Sequence, residues 1–129
     1  MNLKEKMQIK ALFYYVGRGL EVVSRSNEEF QETFETLDGI FQWHVGEVSM
    51  YLEAKEGIFD VHYDATHDEP DVTFTVEDIA IAKDILMGKM EGTAAYMSGD
   101  LGIAGDIQMG VKFAEVSGIL VEELADLLS

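Results

Sequence analysis

Hydrophobic residues in the first part of the chain recur at helical spacing and then change to strict alternation. A stripe at three- and four-residue steps is formed by Ile9, Leu12, Phe13, Val16, Leu20 and Val23, and it predicts an amphipathic helix. Ser26, followed three residues later by Glu29, has the spacing of a capping box and predicts a second short helix that ends near Gly39. From Phe41 onward apolar and polar residues alternate, which is typical of half-buried strands.

The alternating region divides into four predicted strands, at 41–45, 48–52, 58–63 and 72–76. Their short connections favour mostly antiparallel neighbours. A third helix is expected to open at Thr75 or Glu77 and to end at Gly88. A helical turn at 93–97, a fifth strand at 101–104 and a final amphipathic segment at 109–127 follow, and Ser117-Gly118 can break that segment in two. This order predicts an α+β fold in which helices cover one face of a five-stranded, largely antiparallel sheet.

The length of the chain favours one domain that spans residues 1–129. Hydrophobic residues make up 47% of the chain, which is enough for a real core. There is no cysteine, so a disulfide framework and a thiolate nucleophile are excluded. Because the sequence lacks an apolar run of membrane-spanning length and the pattern of a signal peptide, we expect a cytoplasmic protein.

The charge balance is strongly acidic, with 25 acidic against 9 basic residues and a formal net charge of -16. Such a surface repels a nucleic-acid backbone, so nucleic-acid binding is not expected. It also opposes docking to anionic lipid, and we therefore expect transient membrane contact at most.

Three patterns with possible chemistry have simpler explanations. Ligand-type side chains occur close together at His62, Asp64, His67, Asp68 and Glu69, but loops between strands are polar anyway, and we expect no metal site. Gly99, Gly102 and Gly105 have the spacing of a phosphate loop without its Lys-Ser or Lys-Thr pair, and tight turns around a short strand explain them better. Ser98 does not lie in a nucleophile elbow, and no histidine is close to it in sequence.

Methionine is frequent in the second half of the chain, at Met87, Met90, Met97 and Met109. Its flexible side chain suits the wall of a cavity that accepts ligands of variable shape. Ordinary core packing produces the same pattern, so the methionines alone leave both interpretations open.

Two segments carry a resemblance to a known family. They are Asp71-Val-Thr-Phe-Thr-Val76, and, after a helix that ends in Gly88-Lys89-Met90, the run from Ala94-Ala95-Tyr96-Met97-Ser98-Gly99-Asp100 to Gly110-Val111-Lys112-Phe113. These residues resemble the signature of the sterol carrier protein type 2 sterol-transfer family, with a match that extends from about Gly39 to Phe113.

The resemblance implies an apolar tunnel between the sheet and the helices that binds a sterol, fatty acid, acyl-coenzyme A or phospholipid without catalysis and without a cofactor. On this basis the expected ligand-binding residues are Phe74, Leu86, Met90, Met97, Ile103, Met109 and Phe113. The alternative is an accessory or dimerisation domain that keeps the fold and supports an enzyme partner. The protein is expected to be a monomer or a homodimer.

The C-terminal segment lies beyond the resemblance and is rich in apolar residues, at Ile119, Leu120, Leu124, Leu127 and Leu128. A free tail could not expose this surface without inviting aggregation. We therefore expect the segment to be a lid over the tunnel or a contact with a second subunit, with the lid preferred because ligand exchange needs a movable wall.

Overall fold

The computed structural model of the protein describes the backbone of residues 1–128 and the side chains other than those of 117, 121 and 125–128. The first predicted helix is confirmed as α1 (Leu3–Ser26), which is closed at its start by a capping box between Asn2 and Glu5. The second helix, α2 (Glu28–Phe34), begins one residue later than predicted, because Asn27 and not Ser26 accepts the backbone N–H of Phe30. Ser26 still belongs to α1 and donates its hydroxyl proton back to a carbonyl of that helix.

Five strands form one sheet, and they are β1 (Gly39–Val45), β2 (Val48–Lys55), β3 (Ile58–Tyr63), β4 (Val72–Val76) and β5 (Gly102–Gly105). Their spatial order is β3-β2-β1-β4-β5, and helices cover one face, so the predicted fold class is confirmed. The sheet is mixed, because β4 pairs with β1 in parallel while the other pairs are antiparallel.

The parallel pair results from the way the chain returns after β3. Asp71, just before β4, donates its backbone N–H to the carbonyl of Ile40 at 2.9 Å, and its carboxylate accepts the N–H of Ile40 at 2.8 Å. These two bonds fix β4 beside β1 instead of beside β3. The alternation of apolar residues is the same in either arrangement, so it could not predict which strand β4 pairs with.

Three further helices complete the fold, and they are α3 (Ile79–Leu86), α4 (Gly92–Met97) and α5 (Ile107–Leu128). The start of α3 was predicted at Thr75 or Glu77, but Thr75 belongs to β4 and Asp78 accepts the N–H groups of Ala80 and Ile81 instead. The predicted break in the last segment is wrong as well, because α5 continues through Gly118.

The two faces of the sheet differ in polarity. The face under the helices is apolar and buried, and it includes Phe41, Trp43, Val45, Met50, Leu52 and Phe74. On the opposite face Gln42 is 2% exposed because the segment after β3 folds over it, with the N–H of His67 donating to its side-chain oxygen. No helix among the described residues combines the length and the apolar character needed to cross a membrane.

Candidate ligand cavity

A cavity of about 200 Å³ lies between the apolar face of the sheet and the three helices α1, α3 and α5. It is lined by Tyr15, Val16, Leu20, Trp43, Met50, Leu52, Ile85, Leu86, Met87, Phe113, Val116, Leu120 and Leu124. Its volume exceeds the roughly 150 Å³ of an engineered core cavity that binds benzene. It is smaller than the roughly 300–1,000 Å³ of pockets for drug-sized ligands.

The floor of the cavity is built by strand alternation. Trp43 on β1 and Met50 on β2 are partners in the antiparallel register, and Leu52 follows two residues later on the same face. The ring of Trp43 stacks on Phe74 of the neighbouring strand with centroids 4.6 Å apart. Aromatic pairs of this kind add about 0.5–1.5 kcal/mol beyond their buried area, so the stack stabilises the floor.

The walls of the cavity are built by helical spacing. On α5, Phe113, Val116, Leu120 and Leu124 follow one another at three- and four-residue steps and form one stripe along the cavity. The stripe packs against α1 where Gly19 leaves room, since a Cβ at that glycine would stand 2.9 Å from a methyl carbon of Leu124. The absence of a side chain at Gly19 therefore lets the second half of α5 close the cavity.

We infer that the mouth of the cavity lies between α1 and α3, because the two exposed residues of the lining are found there. Tyr15 on α1 is 43% exposed and Met87 directly after α3 is 40% exposed, while the residues of the floor are buried. A ligand that passes between these two side chains moves from water into an apolar interior. The flexible methionine is suited to a movable rim.

The chemistry of the lining is almost entirely apolar. Among the described residues that line the cavity, only Tyr15 and Trp43 carry a side-chain oxygen or nitrogen. The lining therefore contains no carboxylate, imidazole, amine or thiol that could serve as a nucleophile or as a general base. Its arrangement favours the binding of an apolar molecule.

The seven residues that were predicted to bind ligand lie in different places. Leu86 and Phe113 line the cavity. Phe74 is fully buried behind Trp43, and Met90, Ile103 and Met109 are partly buried against the core outside the lining. Met97 is 78% exposed on α4. Ligand contact by these seven residues stays a prediction.

Sequence reasoning missed the contribution of α1 to the site. Val16 and Leu20 belong to the stripe that predicted an amphipathic helix, and Tyr15 lies outside that stripe. Nothing in the spacing of the stripe separates core residues from a cavity wall. A better signal was Trp43, the only tryptophan, on the apolar face of the first predicted strand. Tryptophan is so large that it is rarely fully buried, even where most of its surface is covered by protein.

The other chemical patterns are explained by local structure. Gly99 and Gly105 have φ angles of +85° and +92°, and they form the turns before and at the end of β5. His62 stacks on Tyr51, and His67 accepts the backbone N–H of Glu69. The described residues contain no group of three or more side chains placed to hold a metal ion.

Comparison with known proteins agrees with the architecture described above. The model of the SCP-2 sterol transfer family matches residues 20–117. The chain belongs to the SCP-2 sterol transfer family. The match covers α1 from Leu20, all five strands and the first half of α5. No curated protein matches the chain in sequence.

Solved structures of SCP-2 proteins share the fold. The solution structure of the sterol carrier protein domain 2 of Helicoverpa armigera is 23% identical with a TM-score of 0.65, over 95% of this chain and 94% of that chain. Palmitated SCP2L2 from Aedes aegypti is 18% identical with a TM-score of 0.62, over 81% and 92%. UbiJ-SCP2, a ubiquinone synthesis protein, is 20% identical with a TM-score of 0.59, over 93% and 95%.

Proposed function

We propose that this SCP-2 protein binds one lipid molecule in the cavity between the sheet and helices α1, α3 and α5, and that it carries the lipid without chemical change. The observation that carries the proposal is the apolar lining, in which only Tyr15 and Trp43 carry a side-chain oxygen or nitrogen among the described residues. Candidate ligands are sterols, fatty acids, acyl-coenzyme A and phospholipids.

The energetics of such a site favour transfer over storage. Each methylene group that leaves water gains about 0.8 kcal/mol, so ten buried methylenes gain about 8 kcal/mol. The same methylenes gain a similar amount in a bilayer. Exchange between protein and membrane is then close to neutral, which is the condition that a carrier needs.

The volume limits what the cavity holds in its present form. About 200 Å³ accommodates a small ring system or a short chain. A longer lipid requires the walls to separate, and the rim formed by Met87 together with the stripe of α5 is the part that can move with the least loss of sheet packing. We therefore expect the cavity to widen when a long-chain ligand binds.

Native mass spectrometry and solvent extraction of the purified protein test the proposal. Lipid recovered in stoichiometric amount supports it. Titration with a fluorescent fatty acid should then show binding that is lost in Leu86→Trp, because the larger side chain fills the cavity. Met97→Trp is the matched control, because Met97 lies on the surface and outside the lining. If Met97→Trp also abolishes binding, the ligand site extends over α4.

The second candidate function is an accessory or dimerisation domain that supports an enzyme partner. It is favoured by the similarity to UbiJ-SCP2, a ubiquinone synthesis protein with the same fold. The two functions differ in the purified protein. A carrier contains or takes up lipid, whereas a clean dimer from which no lipid is recovered, and which does not bind the fluorescent fatty acid, supports the accessory function.

A further inference from the structure

The floor of the cavity contains one polar group without a partner. Trp43 is 7% exposed and lines the cavity, and its ring packs on those of Phe74 and Phe113 with centroid distances of 4.6 and 6.5 Å. Its indole N–H donates no hydrogen bond to any described residue. Among the described residues, only the hydroxyl of Tyr63 is both enclosed by protein and without a hydrogen-bond partner. The indole nitrogen of Trp43 also has no partner, so it is not fully enclosed and must border open space. The cavity is the space that this ring borders.

An unpartnered donor at this depth is unusual. A donor that borders a cavity bonds to whatever fills the cavity, and contents without an acceptor atom leave it unsatisfied at a cost of about 1–3 kcal/mol. An indole nitrogen is a donor only, so an acceptor atom must supply the missing bond. The other polar side chain of the lining, Tyr15, lies at the mouth, so it can leave its hydroxyl in water.

We propose that Trp43 Nε1 donates a hydrogen bond to an oxygen atom of the ligand, so that the site selects neutral oxygen-bearing lipids over pure hydrocarbons. This inference rests on the proposed lipid-binding function. The acceptor is a ketone, ester or hydroxyl oxygen and not an ionised carboxylate, because none of the described lining residues is a cation that would compensate a charge at the floor. A ligand with an ionised head group keeps that group at the mouth.

A matched pair of ligands tests the inference. 2-Octanone and 2-methyl-1-octene have the same carbon skeleton, except that a CH₂ group replaces the carbonyl oxygen. Trp43 is the only tryptophan of the chain, so its indole N–H gives a single, assignable signal in ¹H–¹⁵N spectra. We expect the ketone to move this proton signal downfield, as hydrogen bonding does, and the alkene to bind without that shift.

Substitution gives the second measurement. In Trp43→Phe the donor is removed while an aromatic ring remains, and ketone binding should weaken about 3–10-fold relative to alkene binding, which is the range for one neutral hydrogen bond. If that variant does not fold, the spectra of the unmodified protein decide alone. Equal indole shifts with both ligands, or an unchanged ketone preference in Trp43→Phe, overturn this inference and leave lipid binding intact. If neither these ligands nor a fluorescent fatty acid binds, the proposed function fails with it.

Discussion

Tyr63 occupies an unusual position at the end of β3, where its ring packs directly on the backbone of α1. A Cβ at Gly17 would stand 2.5 Å from the tyrosine hydroxyl, so only glycine permits this contact. The hydroxyl is enclosed and has no partner among the described residues. Burial, and after it the negative charge of Glu21, raises the pKa of Tyr63 to about 12.

This raised pKa predicts a loss of stability in alkaline solution. Below the ordinary tyrosine pKa of about 10, Tyr63 is protonated in both the folded and the unfolded state, so its ionisation does not yet lower the free energy of unfolding. Between that value and about 12 the unfolded chain ionises while the folded protein does not, so the free energy of unfolding falls as the pH rises.

Tyr63→Phe should remove this loss, and it should also stabilise the protein by about 1 kcal/mol near neutral pH, because it deletes an unpartnered buried hydroxyl. Urea denaturation at pH 8 and at pH 11 measures both effects. Tyr15→Phe is the control, since Tyr15 is 43% exposed and its ring does not pack on that of Tyr63. The prediction is wrong if the two variants respond to pH in the same way.

Among the elements, α1 protects the free edge of β3. Ser24 accepts the backbone N–H of Phe59 at 3.1 Å, Glu21 accepts that of Val61 at 3.2 Å, and Arg25 donates to the carbonyl of Phe59 at 2.7 Å. These three side chains form hydrogen bonds with the backbone of β3 that a neighbouring strand would otherwise form. An exposed edge is a site for aggregation, so the helix acts as a cover as well as a cavity wall.

Ser24→Ala should destabilise the protein by about 1–3 kcal/mol, because it leaves the buried N–H of Phe59 without a partner. Ser26→Ala, two residues later, removes an exposed hydroxyl that bonds only within α1, and it should change the stability much less. Urea denaturation of both variants measures the difference. Equal effects would indicate that the contact between Ser24 and β3 contributes little.

Some features of the helices and strands could be predicted from the sequence, and others could not. Periodicity predicted α1, α5 and the strands, because apolar spacing is a local property of each segment. It could not predict that β4 pairs with β1, which depends on the bonds of Asp71 to Ile40. The cavity depends on how three helices meet over Trp43, and the family resemblance placed the expected ligand contacts mainly between 90 and 113 instead.

The second half of α5 is another feature that the local sequence signals did not predict. Gly118 reduces helix propensity by about 1 kcal/mol relative to alanine, and it was interpreted as a break. Burial of Leu120 and Leu124 against the core outweighs that cost and keeps the helix continuous. Leu127 and Leu128 also belong to the predicted lid or dimer contact, but their side chains lie outside the described residues.

The lid prediction can be tested at Leu124. Leu124→Ala should lower stability by about 2 kcal/mol or more and speed the release of a fluorescent fatty acid, because it opens the wall between α5 and α1. Glu122→Ala, on the exposed side of the same helix, should leave release unchanged. Stopped-flow fluorescence measures release, and native mass spectrometry measures the mass. If release is unchanged and a dimer becomes a monomer, the segment is an interface.

At the scale of the whole molecule, charge is distributed unevenly. α1 contains five of the nine basic residues and two acidic residues, which give it a formal charge of +3 within a chain of -16. Leu3 and Met7 on the same helix are 72% and 62% exposed. Taken alone, a basic helix with exposed apolar residues favours a membrane surface.

Most of this positive charge is neutralised by carboxylates from other parts of the chain. Lys6 pairs with Glu47 at 3.0 Å, Lys10 pairs with Asp64 at 3.2 Å, and Arg25 pairs with Asp60. The hydrogen bond from Lys6 lowers the pKa of Glu47, so this carboxylate stays ionised at neutral pH. The arrangement therefore leaves little net attraction for anionic lipid.

We accordingly expect little protein to co-sediment with anionic vesicles at low salt. Neutralising the partners in a Glu47→Gln, Asp60→Asn, Asp64→Asn variant frees three cations of α1, each worth about 1 kcal/mol near an anionic surface, so binding should rise and become salt-sensitive. The control replaces three exposed carboxylates elsewhere, namely Glu91, Glu115 and Glu122, and it changes the net charge equally. If both variants gain the same binding, net charge controls docking and the ion pairs of α1 do not. Tight, salt-sensitive binding of the unmodified protein would contradict this expectation, because it would show that the cations of α1 attract anionic lipid in spite of their ion pairs.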